Sequence, residues 1–316
     1  MHEHYKYFGD IPMLINKYLK ITLRFIKSTA YILCGWFLIF PFSFIFPKKK
    51  NLILFIGKYN GKFDDNIKYL YLHLHNEISH RKKNTIIYYF VTGKKEVYNE
   101  LSSKSLPVLF YPSCACILKL LQAHIVIVDC FTWAWGFKYY LLSRCYLIQL
   151  WHGANVKRIQ YDRFKYMKKK MFHEYNDTPK NSKRLFFYIK TLIKIVKINY
   201  EFYLQGAFPK YDLVLSTSEF YTREVFSKAF RTKEVITAGY PSNDVFFQDS
   251  HPYIFIGTDE ESIKKIINFK SNGYKVILLA PTFRDNGGDP LSDNAFDIKK
   301  LSDYATQSKI IFVFKF

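Results

Sequence analysis

From Asn51 onward, short apolar runs alternate with segments of helical period, and this limits the possible folds more than any other feature. The runs are NLILFIG (Asn51–Gly57), TIIYYFV (Thr85–Val91), PVLFY (Pro107–Tyr111), HIVIVDC (His124–Cys130), CYLIQLW (Cys145–Trp151), YDLVLST (Tyr211–Thr217), KEVITAGY (Lys233–Tyr240), YKVILLAPTFRD (Tyr274–Asp285) and KIIFVFKF (Lys309–Phe316). Between the first two lies DDNIKYLYLHLHNEISH, with Ile67, Leu70, Tyr71, Leu74 and Ile78 at helical spacing and Asp64 or Asp65 placed to cap the start. Strands alternating with helices predict an α/β fold on a parallel sheet. A hydrophobic fraction of 49% over 316 residues suffices for one large domain or two ordinary ones.

Two regions depart from this rhythm. Ser28–Pro47 carries no charge over 20 positions, with Lys17, Lys20, Arg24 and Lys27 before it and Lys48, Lys49 and Lys50 after it. That length reaches the roughly 20 residues a spanning helix needs. Pro41 opposes a continuous helix, and cations on both flanks leave the orientation open. The segment therefore reads as membrane-associated, either a single span or an anchor lying in the interface, with a buried core helix as the remaining reading. The stretch from Lys157 to Ala207 is rich in Lys and Arg, in KYMKKKMF (Lys165–Phe172) and RLFFYIKTLIKIVKINYEFYL (Arg184–Leu204). It suits a basic amphipathic helix on an anionic surface, or a surface helix packed on its own domain.

The net charge of +21 favours anionic partners: phosphorylated substrates, an anionic membrane or nucleic acid. No nucleic-acid-binding module is recognisable, so nucleic acid is not expected. The five cysteines (Cys34, Cys114, Cys116, Cys130, Cys145) show no paired C-x-x-C spacing. A zinc site is not expected, and a reducing cytosolic setting is. The apolar region starts too late for a cleavable signal peptide.

In open α/β sheets, ligands bind beyond the carboxyl ends of the strands. Three segments have that form. Trp151-His152-Gly153 ends an apolar run; glycine lets a ligand approach the backbone, and histidine accepts a proton near neutral pH or serves as a hydrogen-bonded structural residue. In Ala280–Asp285, Arg284 offers a planar fork of donors for phosphate oxygens, Thr282 a hydroxyl, and the turn free amides; an Arg284–Asp285 surface pair is the plainer reading. Gly239–Asp244 has the composition of a simple turn.

Taken in order, GKFDDNIKYL (Gly61–Leu70), QLWHGANVKRI (Gln149–Ile159), AGYPSNDVFF (Ala238–Phe247) and LLAPTFRD (Leu278–Asp285) resemble the CDP-glycerol glycerophosphotransferase family of teichoic-acid and capsule polymer enzymes. The resemblance implies a GT-B-like fold of two Rossmann-like halves facing a cleft, and membrane association through basic and apolar patches. It implies His152 as general base, Gly153, Thr282, Arg284 and Asp285 near substrate phosphates, and Asn66, Asn243 and Asp244 as acceptor-side or structural residues. The family carries a second histidine in a His-Pro motif directly after a strand like IIFVFKF, where this chain stops at Phe316. The pair His251-Pro252 precedes the LLAPTFRD strand and does not take that role. The expected organisation is a membrane-associated segment over 1–50, an acceptor domain over 51–250 with a basic helical insertion at about 157–207, and the incomplete start of a nucleotide-binding domain over 251–316.

The implied reaction moves glycerol phosphate, or a related alditol phosphate, from a CDP-activated donor to a hydroxyl of a lipid-linked or polymeric acceptor at the cytoplasmic face of the membrane. No metal cluster is visible, and a divalent cation held partly by the pyrophosphate stays open. Two alternatives remain: a GT-B glycosyltransferase using a nucleotide sugar, and an inactive, truncated membrane-bound remnant.

Overall fold

The computed structural model describes residues 23, 26–27, 29–80, 85–153, 157–177, 185, 188–193, 195–196, 209–247, 253, 255–280 and 297–314. The chain divides into two compact units, Met1–Ile256 and Gly257–Phe316.

The first unit is built on seven parallel strands: β1 (Lys49–Ile56), β2 (Ile87–Thr92), β3 (Val108–Phe110), β4 (Ala123–Val128), β5 (Tyr146–Gln149), β6 (Lys210–Ser216) and β7 (Arg231–Thr237). Their order across the sheet is β3-β2-β1-β4-β5-β6-β7. Each strand shows side chains alternately to the two faces, and the central strands β1 and β4 are covered on both, which is why they read as unbroken apolar runs. Leu52, Leu54 and Ile56 of β1 join Val126, Val128 and Leu147 on one face. The helix α2 (Cys114–Gln122) covers that face with Cys116, Leu120 and Leu121, and starts where the Ser113 hydroxyl accepts the Cys116 amide. Phe55, Phe90 and Ile127 point to the other face, covered by α1 (Asp65–His80) through Ile67, Tyr71 and Leu72. Leu70, Leu74 and Ile78 flank that contact half-buried, as the helical spacing predicts.

Ahead of the sheet, residues 29–47 take a different form from a spanning helix. Among the described residues, no helix is long and apolar enough to cross a membrane. A π-turn at Gly35–Ile39 widens the helix, and Pro41 sits at the start of its last turn, Phe40–Phe42. One side packs on the sheet unit. Tyr31 stacks on Phe137 with ring centroids 3.8 Å apart, Trp36 meets Tyr140 edge-on at 5.8 Å, and the Arg144 guanidinium donates to the Ser43 carbonyl at 3.1 Å. The other side leaves Phe37 73%, Leu38 65% and Ile45 70% exposed.

Beyond β5, the helix α3 (Gln160–Asn176) carries the KYMKKKMF stretch. Tyr166, Met167 and Phe172 are exposed beside its lysines, and Arg158 lies over the Tyr166 ring at 4.7 Å. Most of Arg184–Leu204 lies outside the described residues.

The second unit pairs β8 (Lys275–Leu279) with β9 (Ile310–Phe314) in parallel, Val276 opposite Ile311 and Leu278 opposite Val313. Its helices α4 (Glu260–Ser271) and α5 (Ile298–Gln307) begin at Asp259 and Asp297, whose carboxylates accept the amides of Ser262 and Lys300. Each such cap is worth about 1 kcal/mol.

Candidate functional site

The register of the sheet assembles the site. Ile56 pairs with Val128, Val128 with Gln149, and Gln149 with Val214, so β1, β4 and β5 end at one level. The residues just past these strands therefore share one edge: Gly57-Lys58 after β1, Asp129 after β4, and Leu150-Trp151-His152 after β5. Strand order turns back between β1 and β4, and a crevice at such a switch point is where open parallel sheets hold ligands.

The run CYLIQLW reads as strand to its end, yet the ladder stops at Gln149. Trp151 has φ of 59°, a left-handed conformation uncommon for a residue with a Cβ and costing about 1–3 kcal/mol. The surroundings hold it there. Its N–H donates to the Gln149 side chain at 2.9 Å, and its carbonyl accepts the Asn66 amide at 2.8 Å. Its buried ring packs edge-on against Phe230 with centroids 5.0 Å apart. The turn swings His152 out of the sheet. The His152 ring lies 4.2 Å from the Trp151 ring, and its Nδ1 is 2.8 Å from the Asp129 backbone carbonyl. A carbonyl only accepts, so Nδ1 carries the proton and the lone pair of the neutral ring sits on Nε2.

Asn66 ties three of the four motif segments together. It is fully buried at the start of α1. Its Nδ2 holds Trp151, while its Oδ1 accepts both the Ser242 amide at 3.2 Å and the Ser242 hydroxyl at 2.8 Å. Ser242 belongs to the short helix Pro241–Phe246, formed by the PSND sequence. Tyr240, just before it, donates from its hydroxyl to the Gly153 carbonyl at 3.1 Å, and burial raises that phenol to about 12. Asn243 and Asp244 are exposed on the turn. Thr282, Arg284 and Asp285, with His251 and Pro252, lie outside the described residues.

The same edge holds charged groups that spacing does not single out. The Lys58 ammonium is 2.7 Å from Asp65 and 3.5 Å from Asp64, and Lys62 pairs with Asp64 at 2.8 Å. Asp64 and Asp65, expected as helix caps, thus engage these lysines. Burial opposes the charge on Lys58, but the hydrogen bond and charge of Asp65, with the charges of Asp64 and Asp129, outweigh it and raise its pKa. Asp129 is fully buried, and among the described residues neither carboxyl oxygen has a hydrogen-bond partner. Burial, opposed by Lys58 and reinforced by Asp64 and Asp65, pushes this carboxyl up to about 8. At neutral pH it is mostly the uncharged acid. An acidic residue closing an apolar strand at the switch point, as in HIVIVDC, is the signal that points to it.

The loop between β1 and α1 also needs its glycine. Gly61 has φ of 88°, and a Cβ there would lie 2.5 Å from the Thr92 Cα. Thr92 donates to the Gly61 carbonyl at 2.8 Å and so fixes the loop that presents Lys58. Among the described residues, no group of three or more His, Cys, Asp or Glu is arranged to hold a metal ion.

Residues 38–316 match the family model for CDP-glycerol:poly(glycerophosphate) glycerophosphotransferase. No curated protein matched the chain. Among solved structures, the chain is similar to the wall teichoic acid polymerase TagF. A histidine-to-alanine variant of TagF aligns with TM-score 0.54 and 18% identity over 98% of this chain and 65% of that one. A histidine-to-asparagine variant soaked with CDPG gives TM-score 0.54 and 17% identity over the same shares, 98% and 65%. The unsubstituted TagF gives 0.52 and 17%, over 98% and 66%. The chain thus spans slightly less than two thirds of those structures, and at these identities the likeness is one of fold.

Proposed function

The chain belongs to the CDP-glycerol:poly(glycerophosphate) glycerophosphotransferase family, and from that premise we propose that it transfers glycerol phosphate, or a related alditol phosphate, from a CDP-activated donor to a hydroxyl of a lipid-linked or polymeric acceptor. The observation that carries this reading is the state of His152. With Nδ1 engaged by the Asp129 carbonyl, Nε2 is the proton acceptor, at a strand end beside the switch point.

In the proposed step, the acceptor hydroxyl gives its proton to Nε2 of His152 while its oxygen attacks the β-phosphorus of the donor. The bond from that phosphorus to the bridging oxygen breaks, CMP leaves with the bond's electron pair, and a phosphodiester remains. Lys58 supplies a cation at the same edge for the developing negative charge, and positioning with electrostatics carries most of such a transfer. Thr282, Arg284 and Asp285 follow β8 and are assigned to the donor phosphates, with unit Gly257–Phe316 as the start of the nucleotide half of a GT-B-like pair. Gly153 lies beside the acceptor path, and Asn66 acts by holding Trp151 and Ser242 in register. The exposed apolar ridge at Phe37, Leu38 and Ile45 supports a peripheral position at a membrane surface, which this reading assigns to the cytoplasmic face.

The test is CMP release from CDP-glycerol with a lipid-linked acceptor. His152→Ala lowers turnover by roughly 10²–10⁴-fold with an unchanged melting temperature. A variant turning over within threefold of the wild type removes His152 from the mechanism. A wild-type protein that releases CMP from no CDP-alditol overturns the reading as a whole.

A further inference from the structure

At the amino edge of the sheet, opposite His152, a cavity of about 770 Å³ opens where β5, β6 and β7 begin. The volume falls within the roughly 300–1,000 Å³ typical of small-molecule sites. Its described walls are aromatic: Trp36 and Phe40 from the N-terminal helical segment, with Trp133, Tyr139 and Tyr140 from the chain ahead of β5. Its rim is basic, with Lys210, Arg231 and Lys233 at the strand starts. Asp212 is the one acid among the described residues lining it; it pairs with Lys233, and its second oxygen accepts the Leu147 amide at 2.8 Å.

Among the described residues, the Trp36 indole N–H, the Trp133 indole N–H of the cavity wall and the nearby Lys48 ammonium are shielded from solvent without a hydrogen-bond partner. Burial lowers the pKa of Lys48, which lies near Cys145 of the cavity wall. An unpaired buried donor is costly, and all of these groups are donors. The chemistry missing from the site is therefore a set of anionic or ester oxygens next to an apolar chain. The helical segment that supplies Trp36 and Phe40 also turns Leu33, Phe37 and Leu38 outward, so the cavity adjoins an exposed apolar face.

We propose that this cavity takes one acyl chain of an anionic phospholipid, with its phosphate seated against Lys210 and Arg231, while the outward face of the helical segment rests in the bilayer. The aromatic walls match the chain, the rim matches the headgroup, and the outward apolar residues bring the opening to the membrane surface. The inference is independent of the transferase reading, because it concerns the far edge of the sheet.

The experiment uses the full chain and two probes. Monomeric lysophosphatidylglycerol, below its micelle concentration, reports on the cavity; phosphatidylcholine vesicles containing phosphatidylglycerol report on the membrane face. One lysophosphatidylglycerol is expected to bind per protein, with neutral lysophosphatidylcholine about tenfold weaker or more. Ser143→Trp, at the exposed mouth of the cavity, and the pair Lys210→Glu with Arg231→Glu each lower lysolipid binding at least about tenfold. Phe37→Ser with Leu38→Ser lowers vesicle binding and leaves lysolipid binding intact. Melting curves close to that of the wild type show that each variant has folded. Absence of saturable lysolipid binding, or binding unchanged in Ser143→Trp, overturns the cavity as a lipid site. Equal binding of the neutral lysolipid overturns the headgroup assignment.

Discussion

Two strands with nearly the same sequence character meet different fates. In β1, Leu52, Leu54 and Phe55 are 0% exposed; in β8, Val276 and Ile277 are 39% exposed and Leu278 is 61%. Both are short, unbroken apolar runs, the signature of a strand suited to cover on two faces. β1 has that cover, with β2 on one side, β4 on the other and a helix layer above and below. Among the described residues, β8 has one neighbouring strand, β9. An apolar run therefore reports the burial a strand is suited to, and the layers around it decide how much of that burial is realised. The edge beyond β1, β4 and β5 inherits the rigidity of the first unit, which is why a strained Trp151 and a fully buried Asp129 can persist there.

The contrast is sharpest in the core. Leu54→Ala should cost about 2–5 kcal/mol of stability in urea unfolding. Leu278→Ala, the same deletion in β8, should stay within about 0.5 kcal/mol. Equal costs would break the comparison.

A second test follows the buried acid. In the unfolded chain, Asp129 titrates near the ordinary aspartate value of about 3.9; in the folded protein it titrates at about 8. Between these values the folded state holds a proton that the unfolded state has lost. The associated stability is complete below about pH 4 and falls as pH rises through about 8. Asp129→Asn should remove this slope, matching the wild type near pH 4 and exceeding it at pH 8 by up to roughly 5 kcal/mol. Parallel melting temperatures across that range would show that the carboxyl is not held uncharged.

A smaller loss is expected from Asn66→Ala, which leaves the Trp151 carbonyl and Ser242 without their partner. The cost should be about 1–3 kcal/mol, felt in the unfolding of the first unit, with amide exchange of β8 and β9 unchanged. Faster exchange in β8 would mean that the two units share one cooperative transition.

The strand pattern is legible in the sequence because parallel strands covered on both faces must be apolar on both, as in β1 and β4. Ends are less legible. Leu150 and Trp151 continue the apolar run of β5, but the run cannot reveal that Asn66, distant in sequence, captures the Trp151 carbonyl and turns the chain. Ser28–Pro47 has the length of a span, but hydropathy alone does not say which face docks on Phe137 and Tyr140. At the site, His152 can be singled out because it interrupts an apolar run. Asp129 and Lys58 each resemble an ordinary polar residue after a strand until the sheet order places both at the switch point.

Sheet order also shapes the life of the chain during synthesis. As β1 leaves the ribosome it can pair soon with β2, but its other edge waits for β4, whose Val128 lies opposite Ile56. Until that partner is made, one of the most apolar strands of the molecule presents an open row of amides and carbonyls. Such an edge recruits other chains, and long-range parallel pairing closes slowly. In production of this protein, the hazardous interval is the translation of residues 93–127, after β2 and before β4 is whole. Slowing initiation or supplying a chaperone should raise yield more than stabilising the finished fold.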